Sequence, residues 1–382
     1  MLAASKTSSG FTLVEVMVAM VIGLLGVIVI MQVFALFEGQ KRSTTGGADA
    51  QNNGAIALYG IQRDIRQSGW GFNAPNLIGC TATLPAGTSA KTLPLAPVTI
   101  NPSTAIIPAG DADTDRLLVY YGNGNGASEG DIINAQLTTQ QYGVATPTSF
   151  STGDYVIAEP LTRPSPCSLT IEKATVTLPK VNVQVPTGVA SVVTGSLYNL
   201  GASPRIMAYA IRSGRLMACD YFVNDCSATA GLTDASIWVP LSDNIVSLRA
   251  QYGRDTNTPI DGVVDIYDQT TPATEIAGTK NNCDWLKISS IQFVLVSRSS
   301  QPEKTLVTNT ATSNTVTWRG QSASVAAALP PANVSTQIQL SSIPTSIIPT
   351  GFSWQNYRYK VFQTVVPLRN ITSVLKAAAT QC

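Results

Sequence analysis

The chain has 382 residues, with 24 Lys and Arg against 23 Asp and Glu, a formal net charge of +1, and only 12% of residues charged. Charge this sparse and balanced leaves no electrostatic footprint for nucleic acid. Histidine is absent, which excludes Ser-His-Asp and Cys-His mechanisms and His-based zinc sites.

The first predicted element is a long apolar helix. From Phe11 to Phe37 the run is broken only by Thr12, Glu15 and Gln32. As a helix it would be about 40 Å long, enough to cross a bilayer. A secretory signal peptide has an apolar region of only about 7–15 residues with a small-residue cleavage site after it; here no Ala-x-Ala pattern follows, and the small residue, Gly10, comes before. Glu15 is the anomaly. A carboxylate deep in the bilayer costs about 2.5–3.5 kcal/mol on insertion scales, so it demands a neutralising partner. Lys6 precedes the span while Lys41 and Arg42 follow it, against the positive-inside tendency.

The helix is predicted to continue to about Gln67. Leu58, Ile61 and Ile65 recur at helical spacing, with Gln62, Arg63 and Arg66 on other faces, and Ser68-Gly69 and Gly71 are stop signals. Gly23, Gly26 and Gly46-Gly47 would loosen it. The result is a stem of about 80 Å, half in lipid and half packed on a head.

From about Asn76 the text changes to short β-rich runs between turn residues. Arg116–Tyr121, Tyr155–Ala158, Val181–Val185, Ile206–Ile211, Arg215–Ala218, Ile245–Tyr252, Ile288–Ser297 and Tyr357–Pro367 read as strands, with Ser213-Gly214 as a hairpin turn. Thr81–Asp115 and Lys304–Pro349, rich in Thr, Ser, Ala and Pro, read as long loops or small insertions. All six cysteines (Cys80, Cys167, Cys219, Cys226, Cys283, Cys382) follow the apolar span, as expected of an oxidising compartment with up to three disulfides. Only Cys219 and Cys226, close in sequence, suggest a particular pairing.

Motifs for chemistry are few. Ser373-Val-Leu-Lys376 follows Ser242-Asp243-Asn244, the reverse of the order in penicillin-binding enzymes. Gly122–Gly130 lacks the lysine of a phosphate loop and reads as an inter-strand loop. Asp111, Asp113 and Asp115 read as a turn. Asp255, Asn257, Asp261 and Asp265, with Gly262 among them, could wrap a hard cation such as calcium or could form a solvated hairpin loop. Trp70, Trp238, Trp285, Trp318 and Trp354 could be a sugar platform but suit core positions better. No nucleophile–base pair can be assembled, so the chain reads as non-catalytic.

Met1–Gly10 with Lys6, then Gly10-Phe11-Thr12-Leu13-Val14-Glu15 and the apolar helix, resembles the class III leader of type IV pilins and pseudopilins. The resemblance implies that prepilin peptidase cuts after Gly10 and methylates Phe11. It also implies that Glu15, beside Thr12, contacts the N-terminal ammonium of a neighbouring subunit, which is the partner the buried acid requires. Val246–Asp255 (VSLRAQYGRD), Leu286–Ser297 (LKISSIQFVLVS) and Tyr357–Asn370 (YRYKVFQTVVPLRN) resemble late strands of the PilW family of minor pilins. That family often carries a tighter Asp-rich stretch after the Tyr-Gly-x-Asp strand; here Thr258-Pro259-Ile260 interrupts it.

The expectation is therefore an α+β, lollipop-shaped pilin-like fold. It comprises a leader at 1–10, a helix at 11–68 with 11–37 in the membrane, and a mainly antiparallel β head with long loops at 76–382. The implied function is that of a minor pilin that primes a type IV pilus and is built in at or near its tip. Its partners would be other minor and major pilins and the prepilin peptidase, with no cofactor unless calcium binds. It would span the inner membrane once, head in the periplasm, before moving to the surface pilus. A minor pseudopilin of type II secretion and a tip adhesin are the alternatives.

Overall fold

The computed structural model describes residues 10–85, 91–124, 126, 130–177, 182–257, 259–273, 282–308, 314–320 and 337–371. The expected leader, apart from Gly10, lies outside them. One continuous helix, α1 (Leu13–Gln67), forms the stem. Thr12 caps its start by accepting the Glu15 N–H at 3.3 Å. Its end is set by Ser68, whose hydroxyl donates to the Ile65 carbonyl at 2.7 Å, by Gly69 at φ 82°, and by the Asn370 amide, which donates to the carbonyls of Gln67 and Ser68. These contacts satisfy carbonyls that a helix C-terminus leaves unpaired.

Among the described residues the head holds four sheets. A four-stranded sheet has the order Ile266–Asp268, Ile245–Arg254, Ile288–Arg298, Tyr359–Pro367, all antiparallel. A five-stranded sheet runs Val239–Asp243, Arg215–Asp220, Arg205–Arg212, Leu117–Tyr121, Val98–Ile100, also antiparallel throughout. The nine-stranded sheet contains one parallel pairing, Thr81–Thr83 on Ser168–Lys173. Thr315–Thr317 and Gln337–Gln339 make a small antiparallel pair. Each of the eight predicted strand regions contains a strand, that of Val181–Val185 being Asn182–Gln184.

The five-stranded sheet is the middle layer, and the alternation of its strands shows it. Leu117, Val119, Tyr209, Ile211 and Leu216 enter the core shared with α1 and the four-stranded sheet. Leu118, Tyr120, Ile206, Ala208 and Ala210 enter a second core with Leu169, Ile171 and Leu200 of the nine-stranded sheet. Both faces are buried, which is why these strands read as nearly unbroken apolar runs. Ser213-Gly214 turns the hairpin between Arg212 and Arg215, with φ of 49° and 68°. Two successive positive φ values are what a tight two-residue hairpin needs.

The two stretches expected to be loops are partly sheet. Thr81–Thr83, Thr92–Pro94 and Val98–Ile100 are strands of three residues each. In the second stretch, Trp318, Ile338, Leu340 and Ile343 cover the Val246, Val294 and Val296 face of the four-stranded sheet. Runs this short carry too few residues to show a period. Disulfides join Cys80 to Cys167 and Cys219 to Cys226, and Cys283 is disulfide-bonded as well.

Candidate functional site

The stem has two halves with different surroundings. From Phe11 to Phe37 every residue is exposed, and among the described residues no part of the head buries the apolar side chains. Among the described residues this is the one helix long and apolar enough to cross a membrane. Glu15 lies in its first turn, exposed on that bare surface. A carboxylate there faces the helix's positive end, but along the apolar stretch no side chain of the same helix offers it a cation. Among the described residues no ion pair to it is formed. Gly10 and Phe11, the expected processing positions, are exposed at the foot of the helix.

The distal half is seated on the head. Gly46, Ala50, Gly54, Ala57, Ile61 and Ile65 are buried and recur every three or four residues, so they form one face. Side-chain size rises along this face, from glycine and alanine to isoleucine. Where the helix comes closest, a Cβ on Gly54 would stand 2.1 Å from the Phe362 ring, and one on Gly46 would stand 3.1 Å from Ser299 Cβ. Gly46-Gly47, expected to loosen the stem, lie within unbroken helix, and Gly46 serves close packing.

Asp64 is also buried on this side of the helix. The Tyr209 hydroxyl donates to one of its oxygens, and the Arg63 guanidinium contacts the other at 2.9 Å. Burial, and then the Asp64 charge, push the Tyr209 phenol well above its ordinary pKa, so it stays a donor. Sequence reading had not singled out Asp64, although an acid three residues after Ile61 on the apolar face was the available signal.

The cation candidates converge in one hairpin loop, where hydrogen bonds to the backbone engage their oxygens. Asp255, fully buried, accepts the backbone N–H groups of Asn257, Asp261 and Gly262 at 3.0, 2.7 and 2.5 Å. Asp265 accepts the N–H and hydroxyl of Thr256, and Asp261 accepts the Val263 N–H and the Asn257 amide. Oxygens turned toward N–H donors organise a loop, whereas a cation cradle turns carboxylates and carbonyls inward. Among the described residues no group of three or more acidic or cysteine side chains is arranged to hold a metal. Asp255→Ala is expected to cost about 2–4 kcal/mol through the backbone donors it strands. EDTA should leave the melting temperature of the wild type unchanged. A fall of several degrees on chelation would show that the loop holds a cation such as calcium.

Other acids act alike. Asp111 accepts the N–H groups of Ser213 and Gly214 at 2.9 and 2.8 Å, fixing that hairpin turn. Asp115 accepts from the Ala250 N–H and the Asn101 amide, and its burial, opposed by Arg249, pushes its carboxyl up. The tryptophans form no common platform. Trp238 and Trp285 lie in separate cores, while Trp318 and Trp354 share a third.

A bare apolar helix with an acid in its first turn carries a layered, mainly antiparallel head on its distal half, the α+β lollipop expected from the sequence. Residues 5–31 match the prokaryotic N-terminal methylation motif, and residues 220–370 match the Type IV Pilus-assembly protein W family, PilW. The chain is thus similar to the PilW family over its C-terminal part and to N-terminally methylated proteins over its first helix, the stretch between the two matches being covered by neither. Among solved structures it is similar to the type IV-like pilin TTHA1219 from Thermus thermophilus. That likeness has 11% identity and a TM-score of 0.32 over 85% of this chain and 96% of that one. No curated protein matches the chain.

Proposed function

We propose that this chain is a minor pilin that primes assembly of a type IV pilus and is itself incorporated, at or near the tip. In this reading prepilin peptidase cuts after Gly10 and methylates Phe11. The apolar helix then holds the protein in the inner membrane with its head in the periplasm until assembly. The uncovered apolar half of the stem, with Glu15 unpartnered in its first turn, is the observation that carries the reading. Such a surface is stable in lipid or in a bundle of like helices, where the N-terminal ammonium of a neighbouring chain would pair with Glu15. The head also supports a place at the end of a fibre. Its nine-stranded sheet adds bulk beyond the middle layer, on the face away from the stem, where the end of a filament has most room. The PilW match favours a pilus over a secretion pseudopilus. Loss of twitching on gene deletion would agree with that, whereas loss of exoprotein secretion would favour the pseudopilus.

The test combines mass spectrometry of the N-terminus with quantitation in sheared pili. Wild-type protein is expected to begin at N-methylated Phe11 and to be present in pili. Glu15→Leu should keep that start and stay in the membrane, because removing the acid only eases insertion. It should nonetheless fall more than about tenfold in the pili, since leaving the neighbour's ammonium buried without a partner costs about 3–5 kcal/mol. Undiminished incorporation would remove the role assigned to the acid, and a wild-type chain starting at Met1 would remove the processing step.

A further inference from the structure

Where the stem leaves the head, a crevice of about 590 Å³ opens between the helix, at Leu36, Gly39 and Arg42, and the segment Glu303, Lys304 and Thr305. The head descends along the stem to reach this level. Ser299 packs on Gly46, and the Ser300 hydroxyl donates to Asp49 at 2.8 Å. Beyond them the chain is pinned twice. Glu303 exchanges hydrogen bonds with Asn356 at 2.7 and 2.9 Å and pairs with Arg358 at 2.5 Å. Val307 and Thr308 donate their N–H groups to the Gln355 carbonyl, both at 3.0 Å. Between these two fixed points Lys304, Thr305 and Leu306 project into solvent, and Leu306 is 59% exposed.

The level of this tip is informative. The apolar run ends at Phe37, and Glu38, Lys41 and Arg42 are the first charges after it, so the bilayer surface lies near Phe37. The crevice straddles that boundary. Glu303 is neutralised by Arg358, which leaves Lys41, Arg42 and Lys304 against Glu38, an excess of positive charge at headgroup height. A leucine beside a lysine on a pinned turn at that height is a combination suited to an interface, where the apolar group enters the acyl boundary and the ammonium meets phosphate.

We propose that Lys304–Thr305–Leu306 is a membrane-seating tip. Leu306 enters the upper acyl region of the outer leaflet, and Lys304, with Arg42, binds phospholipid phosphates. The tip thereby holds the head in one orientation over the membrane before assembly. The proposal rests on the reading of the apolar helix as a membrane span. Incorporation into a fibre would then have to lift the tip from the lipid.

Photocross-linking of the full chain in nanodiscs of phosphatidylcholine and phosphatidylglycerol tests it, with p-benzoylphenylalanine placed singly at three exposed positions. Leu36 reports the span and Leu306 the tip. Val263 is the control. It lies beyond the Arg254 end of its strand, which pairs with Ile288 at the end of the sheet remote from Ser299. Lipid adducts from position 306 are expected to exceed those from 263 by at least about fivefold. Adducts at 36 with only background at 306 would overturn the tip while keeping the span. No adducts at 36 would overturn the membrane reading itself. Cross-links from 306 to a second protein chain in cell membranes, without lipid adducts, would assign the tip to a neighbouring subunit instead. Should the label at 306 prevent folding, judged by protease resistance of the head, the same comparison is made from Lys304.

Discussion

Replacing Cys80 and Cys167 together by serine is expected to destabilise the head by about 4–5 kcal/mol, more than the same change at Cys219 and Cys226. The bridge closes a loop with a sequence separation of 87, whereas Cys219–Cys226 closes one of 7. Loop-closure entropy grows with the logarithm of loop length, so the first constrains the unfolded chain by about 2 kcal/mol more than the second. Native contacts act in the same direction. Both sulfurs lie in the core between the five- and nine-stranded sheets. The bridge also stands at the start of the three-residue parallel pairing of Thr81–Thr83 with Ser168–Thr170, where the Thr81 N–H donates to the Cys167 carbonyl at 2.9 Å. A pairing of three residues has little stability of its own. Without the bridge it should open, taking Thr92–Pro94 with it. Chemical unfolding of the purified full chain in detergent, followed through tryptophan emission, measures the effect. If the Cys219→Ser/Cys226→Ser pair cost as much, loop closure would not be the governing term.

The second large effect is at Gly54. Gly→Ala in a helix interior ordinarily stabilises by about 1 kcal/mol. Here the added methyl would stand 2.1–2.7 Å from three atoms of the Phe362 ring, closer than carbon atoms approach. Phe362 belongs to the Tyr359–Pro367 strand that α1 packs against, so relief requires the ring to leave its place or the stem and the sheet to move apart. We expect Gly54→Ala to cost about 2–3 kcal/mol, in the range of overpacked cores, and Gly54→Leu to detach the stem. The decisive measurement is the change of sign. In a Phe362→Ala background, Gly54→Ala should become neutral or stabilising, because the obstacle is gone and helix propensity remains. Equal destabilisation in both backgrounds, read from thermal melts, would show that the seam is not set by this contact. A detached stem matters for function, since the distal half of α1 carries the head and the proximal half anchors it.

Several features were legible in the sequence because they are local. The apolar run, its lone acid, the leader pattern and the helix stop at Ser68-Gly69 each depend on neighbours in the chain. The two sheets in contact with the stem were also readable, since Ile245–Arg254, Ile288–Arg298 and Arg205–Arg212 are long enough to show themselves. The three-residue strands were not. A run such as Thr81–Thr83 is held by a partner 87 residues away, and nothing in Thr-Ala-Thr indicates that partner. The same holds for Gly54, which no local pattern sets apart and which the ring of Phe362 makes a requirement.

The acidic residues show most clearly where the division falls. Asp255, Asn257, Asp261 and Asp265 at their spacing suit either a cation or a loop, because composition specifies the oxygens but not what they face. The fold turned backbone N–H groups toward them. By itself the sequence determined a membrane-length helix with an acid that needs a charge partner, since solvation and helical period act residue by residue. Only the tertiary structure decided the layering of the sheets, the Cys80–Cys167 bridge, the Asp64–Tyr209 contact and the descent of Glu303–Thr305 to the level of Phe37, because each depends on groups far apart in the chain meeting when the core closes.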